Sequence, residues 1–395
     1  MKFKPLLSFI FLLMLIVIGC QQQEPLAPVG QSSLNPVECV RPDGQFYPKY
    51  QPADLIVMTR NIYVGTDVDM VMMARSPEEV PLLATQAFQM LLSTNFAGRA
   101  ELLANEIERT KPDLIGLQEV TLFRMQSPGD LIVGGTELAT QPFLDYLSIL
   151  LNVLTTRGLD YKVAGIRENT DVEVPVIMAV DENGNPTLIN DIRMTDYDVV
   201  LARSRVRIEN VVSANYQARY DIPSMGATIL RGYVMVDGKI KNKHYRFVST
   251  HLEPGITPDL LMVQMGQVME LTSTLQNAPL PQVVVGDFNA EYPSSPVYNH
   301  MIDNGYTDVW TKNWLHNNPD GFTDGHDLDL RNPQANFHKR IDYIFIKDSD
   351  QLKWSDPFYA IVVGKEPWNR YQNADGSLLW PSDHGGVVAW LNISK

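Results

Sequence analysis

The sequence predicts a layered α/β domain that occupies most of the chain. Short apolar runs end abruptly in polar residues, a pattern typical of strands buried on both faces. An amphipathic helix lies between the first two runs, and predicted strands and helices interleave over residues 53–390 without a second linker. The length of 395 residues leaves room for two or three domains, but one large domain at 51–395 is the simpler interpretation.

The predicted elements follow from local patterns. Apolar runs at 54–58, 113–117, 246–250 and 283–285 predict strands. Apolar stripes predict helices over residues 96–109, 136–156 and 258–275. Between them, residues 161–236 alternate and are rich in β-branched side chains, so this stretch predicts strands and hairpins broken at Pro175 and at Asn183-Gly184.

The N-terminus has the layout of a secretory signal. Lys2 and Lys4 precede an apolar run at 5–18 that is too short for a comfortable membrane span, and Gly19-Cys20 closes it. The ending resembles the lipobox of bacterial lipoproteins, which implies a signal peptide at 1–19, lipid on Cys20 and an extracytoplasmic, membrane-anchored protein at the periplasmic or cell surface. A retained N-terminal anchor is the alternative.

The segment after the predicted signal peptide is expected to be a tether, and it contains both cysteines of the chain. Residues 20–50 are rich in Gln, Pro and Gly and predict a flexible tether. If Cys20 carries lipid, Cys39 has no partner in the chain and no internal disulfide is expected. A bridge from Cys20 to Cys39 is the rival. Two cysteines exclude a disulfide-stapled scaffold or a Cys-rich zinc module.

The charge balance bears on the partner. The formal net charge is −14, and it becomes −16 when removal of residues 1–19 takes away two lysines and no acid. Proteins that wrap a nucleic-acid backbone need dense Lys and Arg. The acidic balance therefore argues against nucleic acid as the main binding partner, although a local basic site is compatible with it.

Candidate functional residues sit where predicted strands end. Loops at the carboxyl ends of buried strands lift polar side chains out of the sheet. Each such residue taken alone is more often a turn former or a structural residue, but several coincide here: Asn61, Glu119, His251, Asp287 and Asn289. Two later segments add Asp342 at the start of an apolar strand, and Asp383 and His384 before the final strand.

These residues belong to an ordered set of six motifs that resembles the endonuclease/exonuclease/phosphatase superfamily. The motifs are Asn61 after the first strand, LIGLQEV with Glu119, STHL with His251, GDFNA with Asp287 and Asn289, RIDYIF with Asp342, and SDHGG with Asp383 and His384. The resemblance covers roughly residues 53–391. It implies a DNase I-like four-layer sandwich of two packed mixed β-sheets flanked by helices.

The chemistry of phosphoester hydrolysis explains these residue types. The reaction needs a cation to absorb charge, an activated water and donors to the phosphoryl oxygens. Glu119 is the natural ligand of Mg²⁺, or of Mn²⁺ or another divalent cation, with Asn61 and Asp383 as further ligands. Asp287 is the candidate base for the water, and Asn289 a donor to a phosphoryl oxygen.

The resemblance implies the histidine roles. His384 corresponds to the family's active-site histidine, with Asp342 fixing its tautomer, and it acts either as base or as transition-state stabiliser. His251 would contact the phosphate.

Some features depart from the family pattern. Residues 62–65 make a second metal site doubtful, and four residues between Glu119 and His251 are only weak candidates for substrate contact: Tyr197, Arg203, Arg205 and Tyr233. The stretch GFTDGHDLDL at 321–330 holds Asp324, His326, Asp327 and Asp329, whose spacing fits neither an EF-hand nor an HExxH pattern, so a solvated surface loop is favoured over a metal site.

The sequence therefore predicts a secreted, lipid-anchored, Mg²⁺-dependent phosphoric ester hydrolase. Its substrate would be a small molecule or phospholipid-type phosphoester, and the alternative is an extracellular endonuclease or exonuclease of the same fold. A surface binding module without activity would be expected to have lost site residues, and every matched position is present.

Overall fold

The computed structural model of the protein describes residues 53–222, 226–240, 242–314 and 320–394, together with two short strands near the N-terminus. The predicted signal peptide at 1–19 and the lipid site Cys20 lie outside the described residues. The two short strands, Cys39–Val40 and Phe46–Tyr47, pair with each other inside the predicted tether. No helix of the described ranges is long and apolar enough to cross a bilayer.

The strands are β1 Cys39–Val40, β2 Phe46–Tyr47, β3 Leu55–Asn61, β4 Leu114–Gln118, β5 Leu122–Gln126, β6 Gln141–Asp145, β7 Tyr161–Val180, β8 Pro186–Arg203, β9 Arg207–Asn215, β10 Tyr220–Ile222, β11 Ala227–Ile229, β12 Gly232–Ile240, β13 Lys243–His251, β14 Gln282–Asp287, β15 Thr307–Asp308, β16 Asp342–Lys347, β17 Lys353–Val363, β18 Tyr371–Gln372, β19 Leu378–Leu379 and β20 Gly386–Ser394. The α-helices are α1 Val68–Met72, α2 Val80–Ser93, α3 Phe96–Thr110, α4 Tyr146–Thr156, α5 Pro258–Leu275 and α6 Pro296–Asp303.

Two large mixed sheets form the centre of the fold. One has six strands in the order β15-β16-β14-β13-β12-β9, and the other has eight, in the order β17-β20-β3-β4-β8-β5-β6 with β7 paired to β8. Strands β3 and β4 run parallel, as do β13 and β14. The carboxyl ends of each parallel pair therefore lie side by side.

Apolar side chains on alternate strand positions bury both faces of each sheet. Val57 of β3 and Val285 of β14 lie in one apolar cluster between the sheets, whereas Met58 packs with helices α2, α3 and α4. Val284 packs with α5 and α6 on the far side of the six-stranded sheet. The arrangement is the predicted four-layer sandwich of two sheets flanked by helices, which confirms the fold class.

Close contact between the sheets depends on Gly116 in β4. A Cβ atom on this residue would lie 2.6 Å from Ser249 Oγ and 2.7 Å from a Val285 methyl group, both in the opposite sheet. Two residues further along, Gln118 donates from Nε2 to Ser249 Oγ at 3.0 Å. The sheets are therefore held together next to the carboxyl ends of β4 and β13.

Two local predictions were wrong. The predicted helix at 136–156 begins only at Tyr146, because Gln141–Asp145 forms β6 and the Asp145 side chain accepts from Ser148 N–H as a helix cap. Pro175 does not break a strand but lies inside β7, which pairs with β8 alone among the strands that the structure describes. An edge strand tolerates proline because one row of its N–H groups needs no partner.

Candidate active site

The register of the six-stranded sheet brings three predicted residues into one row. His251 at the end of β13 lies opposite Asp287 at the end of β14, and Asp287 lies opposite Asp342 at the start of β16. All three side chains are at least 98% buried. The carboxylates of Asp287 and Asp342 therefore share a site that is largely shielded from solvent.

The loop before β20 adds His384 to this row. Its Nδ1 hydrogen-bonds Asp342 Oδ2 at 2.9 Å, and its Nε2 lies 3.7 Å from Asp287 Oδ2. The buried guanidinium of Arg60 holds the loop in place by donating to the His384 carbonyl oxygen at 2.5 Å and pairing with Glu106 at 3.0 Å. The predicted pairing of His384 with Asp342 is present in this geometry.

The eight-stranded sheet contributes Asn61 and Glu119 from the ends of β3 and β4. Asn61 donates from Nδ2 to Glu119 Oε1 at 2.7 Å and lies 3.1 Å from Asp287 Oδ2, so it joins the two sheets. Its amide oxygen accepts from Tyr63 N–H at 2.9 Å. An amide oxygen has two lone pairs, so one stays available to a metal, and as a metal ligand Asn61 stays a prediction.

Two site residues adopt left-handed backbone conformations, which are uncommon for residues other than glycine. Glu119 has φ of 57° and Asn289 has φ of 49°. The turn at Glu119 is stabilised by Val64 N–H, which donates to Oε2 at 2.7 Å, and Asn289 N–H donates to Asp287 Oδ1 at 2.8 Å. These turns lift both side chains away from the strand direction and into the site.

His251 is held as a neutral imidazole with a defined tautomer. Burial first, and then the charges of Arg231 and His384, lower the pKa of His251 well below its ordinary value. Arg231 Nη1 lies 2.9 Å from Nδ1 of His251, and because a guanidinium only donates, that nitrogen accepts. The ring proton is therefore on Nε2, which lies 3.6 Å from Asp287 Oδ2. Asn289 Nδ2 lies 3.1 Å from the same nitrogen, but a protonated Nε2 cannot accept from it, and Nδ2 donates instead to the Leu252 carbonyl oxygen at 2.9 Å.

The pKa values of Asp287, His384 and Asp383 depend on one another, because the three groups lie close together and are buried. Burial raises the pKa of Asp287 to about 8; His384 opposes this rise and Asp342 adds to it. Burial also lowers the pKa of His384, but Asp342, Asp287 and Asp383 outweigh it and raise that pKa well above its ordinary value. For Asp383, burial and the charge of Glu119 raise the pKa to about 7, against the effect of His384.

The donor set fits a divalent cation. Ligand atoms of Glu119, His251 and Asp287 lie within 4.8 Å of one another, and those of Asp287, Asp342 and His384 do so as well. Of the predicted metal ligands, Glu119 belongs to the first group, and Asp383, which belongs to neither, stays a prediction as a ligand. Mg²⁺ and similar hard cations prefer carboxylate oxygens. A cation would also offset the repulsion between Glu119 and Asp383 that raises the Asp383 pKa.

A cavity of about 300 Å³ opens onto these groups. The predicted residues that line it are Glu119, His251, Asp287, Asn289, Asp383 and His384. Asn61 and Asp342 are fully buried beside them and reach them through hydrogen bonds. All eight predicted site residues are thus gathered at one place, at the carboxyl ends of β3, β4, β13 and β14 and in the loops beside them.

Sequence reasoning missed Arg231, which lines the same cavity. It precedes β12, whose first residue Gly232 pairs with His251, and its Nε donates to Glu253 at 3.0 Å. No motif marks this arginine, and only the strand register brings it to the site. Four residues weighed as substrate contacts are absent from the cavity lining: Tyr197, Arg203, Arg205 and Tyr233.

The loop at 321–330 was only partly predicted. Asp327 and Asp329 are exposed, but His326 is buried and stacks on Trp380 with ring centroids 4.4 Å apart, and Leu330 is also buried. His326 N–H donates to the Asp383 carbonyl oxygen at 3.2 Å. The interpretation as a solvated loop was therefore wrong for these residues, because the loop packs against the segment that carries Asp383.

The stacked sheets and the gathered acidic and histidine side chains define a DNase I-like phosphoesterase fold. The sequence model of the Endonuclease/Exonuclease/phosphatase family matches residues 90–384, and the chain belongs to this family. Members of the family are hydrolases that act on phosphoesters. No curated protein matches the sequence.

Solved structures are similar to the chain at low sequence identity, and those with TM-scores of 0.50 and 0.51 share its fold. A mannosyl-6-phosphatase from Bacteroides thetaiotaomicron is 15% identical, with a TM-score of 0.50 over 85% of this chain and 99% of that chain. A family protein from the same organism is 15% identical, with a TM-score of 0.51 over 86% of this chain and 98% of that chain. Truncated TDP2 from Caenorhabditis elegans is 16% identical, with a TM-score of 0.46 over 85% of this chain and 96% of that chain.

Proposed function

We propose that the protein is a secreted, lipid-anchored phosphoester hydrolase that depends on a divalent cation and acts on a small-molecule or phospholipid-type substrate. One observation carries the proposal. The carboxylate of Asp287 lies within 3.7 Å of side-chain nitrogens of Asn61, His251 and His384, which come from both sheets. A carboxylate surrounded by donors at a cavity floor is suited to accept a proton from an attacking water.

Glu119 and Asp383, with Asn61 beside them, would hold the cation, which supplies charge neutralisation at the phosphoryl oxygens and a more acidic water. In the proposed reaction Asp287 takes the proton of the water as its oxygen bonds to phosphorus. The bond from phosphorus to the leaving oxygen breaks, and that oxygen takes a proton from His384, which Asp342 orients.

Two further groups stabilise the phosphoryl oxygens in this scheme. His251 presents a neutral Nε2–H, since Arg231 fixes its tautomer. Asn289 Nδ2 lies 3.1 Å from that nitrogen and gives one of its two hydrogens to the Leu252 carbonyl oxygen, so its other hydrogen can serve as a second donor to a phosphoryl oxygen. Donors fixed before the reaction stabilise developing charge without reorganisation, which is the larger part of such catalysis.

Charge around the cavity supports a substrate other than nucleic acid. Acidic residues line it at several points: Asp67, Asp69, Glu119, Asp196, Glu253 and Asp383. Among the described residues that line the cavity, Arg231 is the one arginine and there is no lysine, and Arg231 is paired with Glu253. A rim of this sign repels a polyanionic backbone, which needs a positive groove.

A substrate panel tests the proposal. Purified protein is assayed with Mg²⁺, with Mn²⁺ and with EDTA on bis-p-nitrophenyl phosphate, sphingomyelin, inositol phosphates, mannose 6-phosphate and plasmid DNA. We expect metal-dependent turnover of a small or lipid phosphoester that is lost in Asp287→Ala and His384→Ala. Metal-independent activity, or unchanged activity in both variants, would disprove the mechanism, and efficient plasmid cleavage alone would establish the nuclease instead.

The membrane anchor is tested separately. Intact protein should fractionate with membranes and incorporate labelled palmitate, and Cys20→Ser should abolish the label and leave the hydrolase activity of the purified chain unchanged. Label retained in Cys20→Ser would contradict the lipid site.

A further inference from the structure

The cavity at the active site continues into an apolar chamber that the reaction does not use. The chamber has two walls: strands β5, β7 and β8 form the strand wall, and helix α2 forms the helix wall. The lining residues of the strand wall are Phe123, Val172, Val174, Val176, Ile192 and Met194. Those of the helix wall are Ala84, Ala87, Phe88 and Leu91.

Strand register places the strand wall on one face of the eight-stranded sheet. Met194 lies opposite both Val172 and Phe123, and Ile192 lies opposite Val174. Positions that alternate along a strand share a face, so Ile192, Met194 and Asp196 project in the same direction. These three residues span about 13 Å at roughly 3.3 Å per residue. The wall therefore changes from apolar to acidic along its length.

The acidic end of that wall is the end next to the active site. Tyr197, which follows Asp196 in β8, exchanges backbone hydrogen bonds with Val120, the residue after Glu119. Burial raises the pKa of Asp196 to about 6; the charge of Arg231 opposes this rise and that of Glu119 adds to it. The apolar positions Met194 and Ile192 thus extend away from the catalytic groups.

The helix wall leaves space opposite the strands because two of its four residues are alanine. Ala84, Ala87, Phe88 and Leu91 follow the i, i+3, i+4, i+7 spacing of one helix face. Ala84 and Ala87 are only 2% and 7% exposed, so they face the interior rather than solvent. Protein interiors are close-packed, and large apolar voids are rare unless a ligand fills them.

We propose that this chamber binds an apolar group of the substrate, so that the natural substrate is an amphiphilic phosphoester. The inference rests on the proposed hydrolase function, because the reacting phosphate must sit at the polar end. A hydrocarbon chain suits the chamber, since its walls are Val, Ile, Met, Phe, Leu and Ala side chains. The cavity of about 300 Å³ is shared between the polar catalytic groups and the chamber, so only part of it is available to the chain.

The test uses a series of alkyl p-nitrophenyl phosphate diesters with methyl, butyl, octyl and dodecyl chains, each below its micelle concentration. Burial of a methylene group improves transition-state binding by at most about fourfold. We expect kcat/KM to rise by up to that factor per methylene and to level off once the alkyl chain fills the chamber. Equal kcat/KM for the methyl and octyl esters would overturn the chamber and leave the hydrolase function standing.

Matched variants locate the effect. Ala87→Phe fills the chamber and should reduce the octyl-to-methyl ratio of kcat/KM to near one, and Ala84→Leu, a smaller insertion, should lower it in part. Gln86→Phe adds the same ring on the exposed face of the same helix and should keep the wild-type ratio. A ratio that both alanine variants leave unchanged would contradict the proposed location.

A binding measurement separates this inference from the proposed reaction. Calorimetric titration of EDTA-treated protein with octyl phosphate and with methyl phosphate needs no turnover. Tighter binding of octyl phosphate that is lost in Ala87→Phe supports the chamber even if no ester is hydrolysed. Equal affinity for the two ligands contradicts it whatever the enzyme assays show.

Discussion

The buried carboxylate of Asp342 offers the sharpest test of the site's electrostatics. Asp342→Asn removes its charge and changes its volume little, and the wild-type carboxylate hydrogen-bonds His384 at 2.9 Å in a site shielded from solvent. A hydrogen bond to a charged group contributes roughly 1.5–3 kcal/mol. Since 1.36 kcal/mol corresponds to a factor of ten in rate, we expect kcat to fall by about tenfold to 150-fold.

The same substitution should move the pH–rate profile in a fixed direction. Burial lowers the pKa of His384, but Asp342, Asp287 and Asp383 together hold it well above its ordinary value. Removing one of these three negative charges lowers the pKa of His384. The limb of the profile that reports His384 therefore moves to lower pH, and because His384 is the proposed proton donor to the leaving oxygen, this is the limb on the alkaline side.

The assay is hydrolysis of bis-p-nitrophenyl phosphate at saturating Mg²⁺ from pH 5 to 10, with thermal melts to verify folding. Asp237→Asn is the matched control, because Asp237 pairs with Arg246 on neighbouring strands of the same sheet and is absent from the cavity lining. It should retain the wild-type kcat and profile. A folded Asp342→Asn variant with unchanged kcat and profile would refute the assigned role of the carboxylate.

Three further predictions concern the metal, the buried charge and the sheet contact. Glu119→Gln should raise the Mg²⁺ concentration for half-maximal activity at least tenfold in a metal titration, and an unchanged midpoint would remove Glu119 from the ligand set. The pKa of Asp198 is raised well above its ordinary value by burial and by Asp196, so folded-state stability is lost as pH rises above about 4. Asp198→Asn does not titrate and should stabilise the protein by about 1–3 kcal/mol at pH 7 but little at pH 4, as thermal melts at the two pH values would show. Gly116→Val should destabilise the fold by about 1–3 kcal/mol in urea unfolding, because its Cβ would lie 2.6 Å from Ser249 Oγ. An unchanged midpoint would mean that the two sheets do not need a glycine at this contact.

The sequence was sufficient to predict the fold class and the grouping of the site residues. The apolar runs mark the buried strands, and the site residues follow directly where those strands end. Asn61, His251 and Asp287 end strands whose apolar runs are visible in the sequence, and parallel pairing brings such ends together. The sequence did not predict which strands pair. Local periodicity cannot tell which of two strands will be neighbours.

Features that depend on packing between distant segments could not be predicted. Arg231 reaches the site only because β12 and β13 pair in a register that sets Gly232 against His251. The chamber exists only because α2 packs over the strands that carry Ile192 and Met194. Read along the chain, Ala84 and Ala87 are ordinary helix residues, and their small size matters only opposite that wall.

The irregular backbone at the site explains why several polar groups are needed there besides those that meet the substrate. Tyr63, Glu119 and Asn289 each follow a site strand in a left-handed conformation that costs about 1–2 kcal/mol for a residue other than glycine. Each turn is supported by hydrogen bonds from the site itself, such as Val64 N–H to Glu119 and Asn289 N–H to Asp287. The network that orients the catalytic groups is therefore also the network that stabilises the turns. Since the same bonds serve both roles, a change in one carboxylate should disturb local backbone and chemistry together, whereas a change in the chamber should alter substrate choice alone.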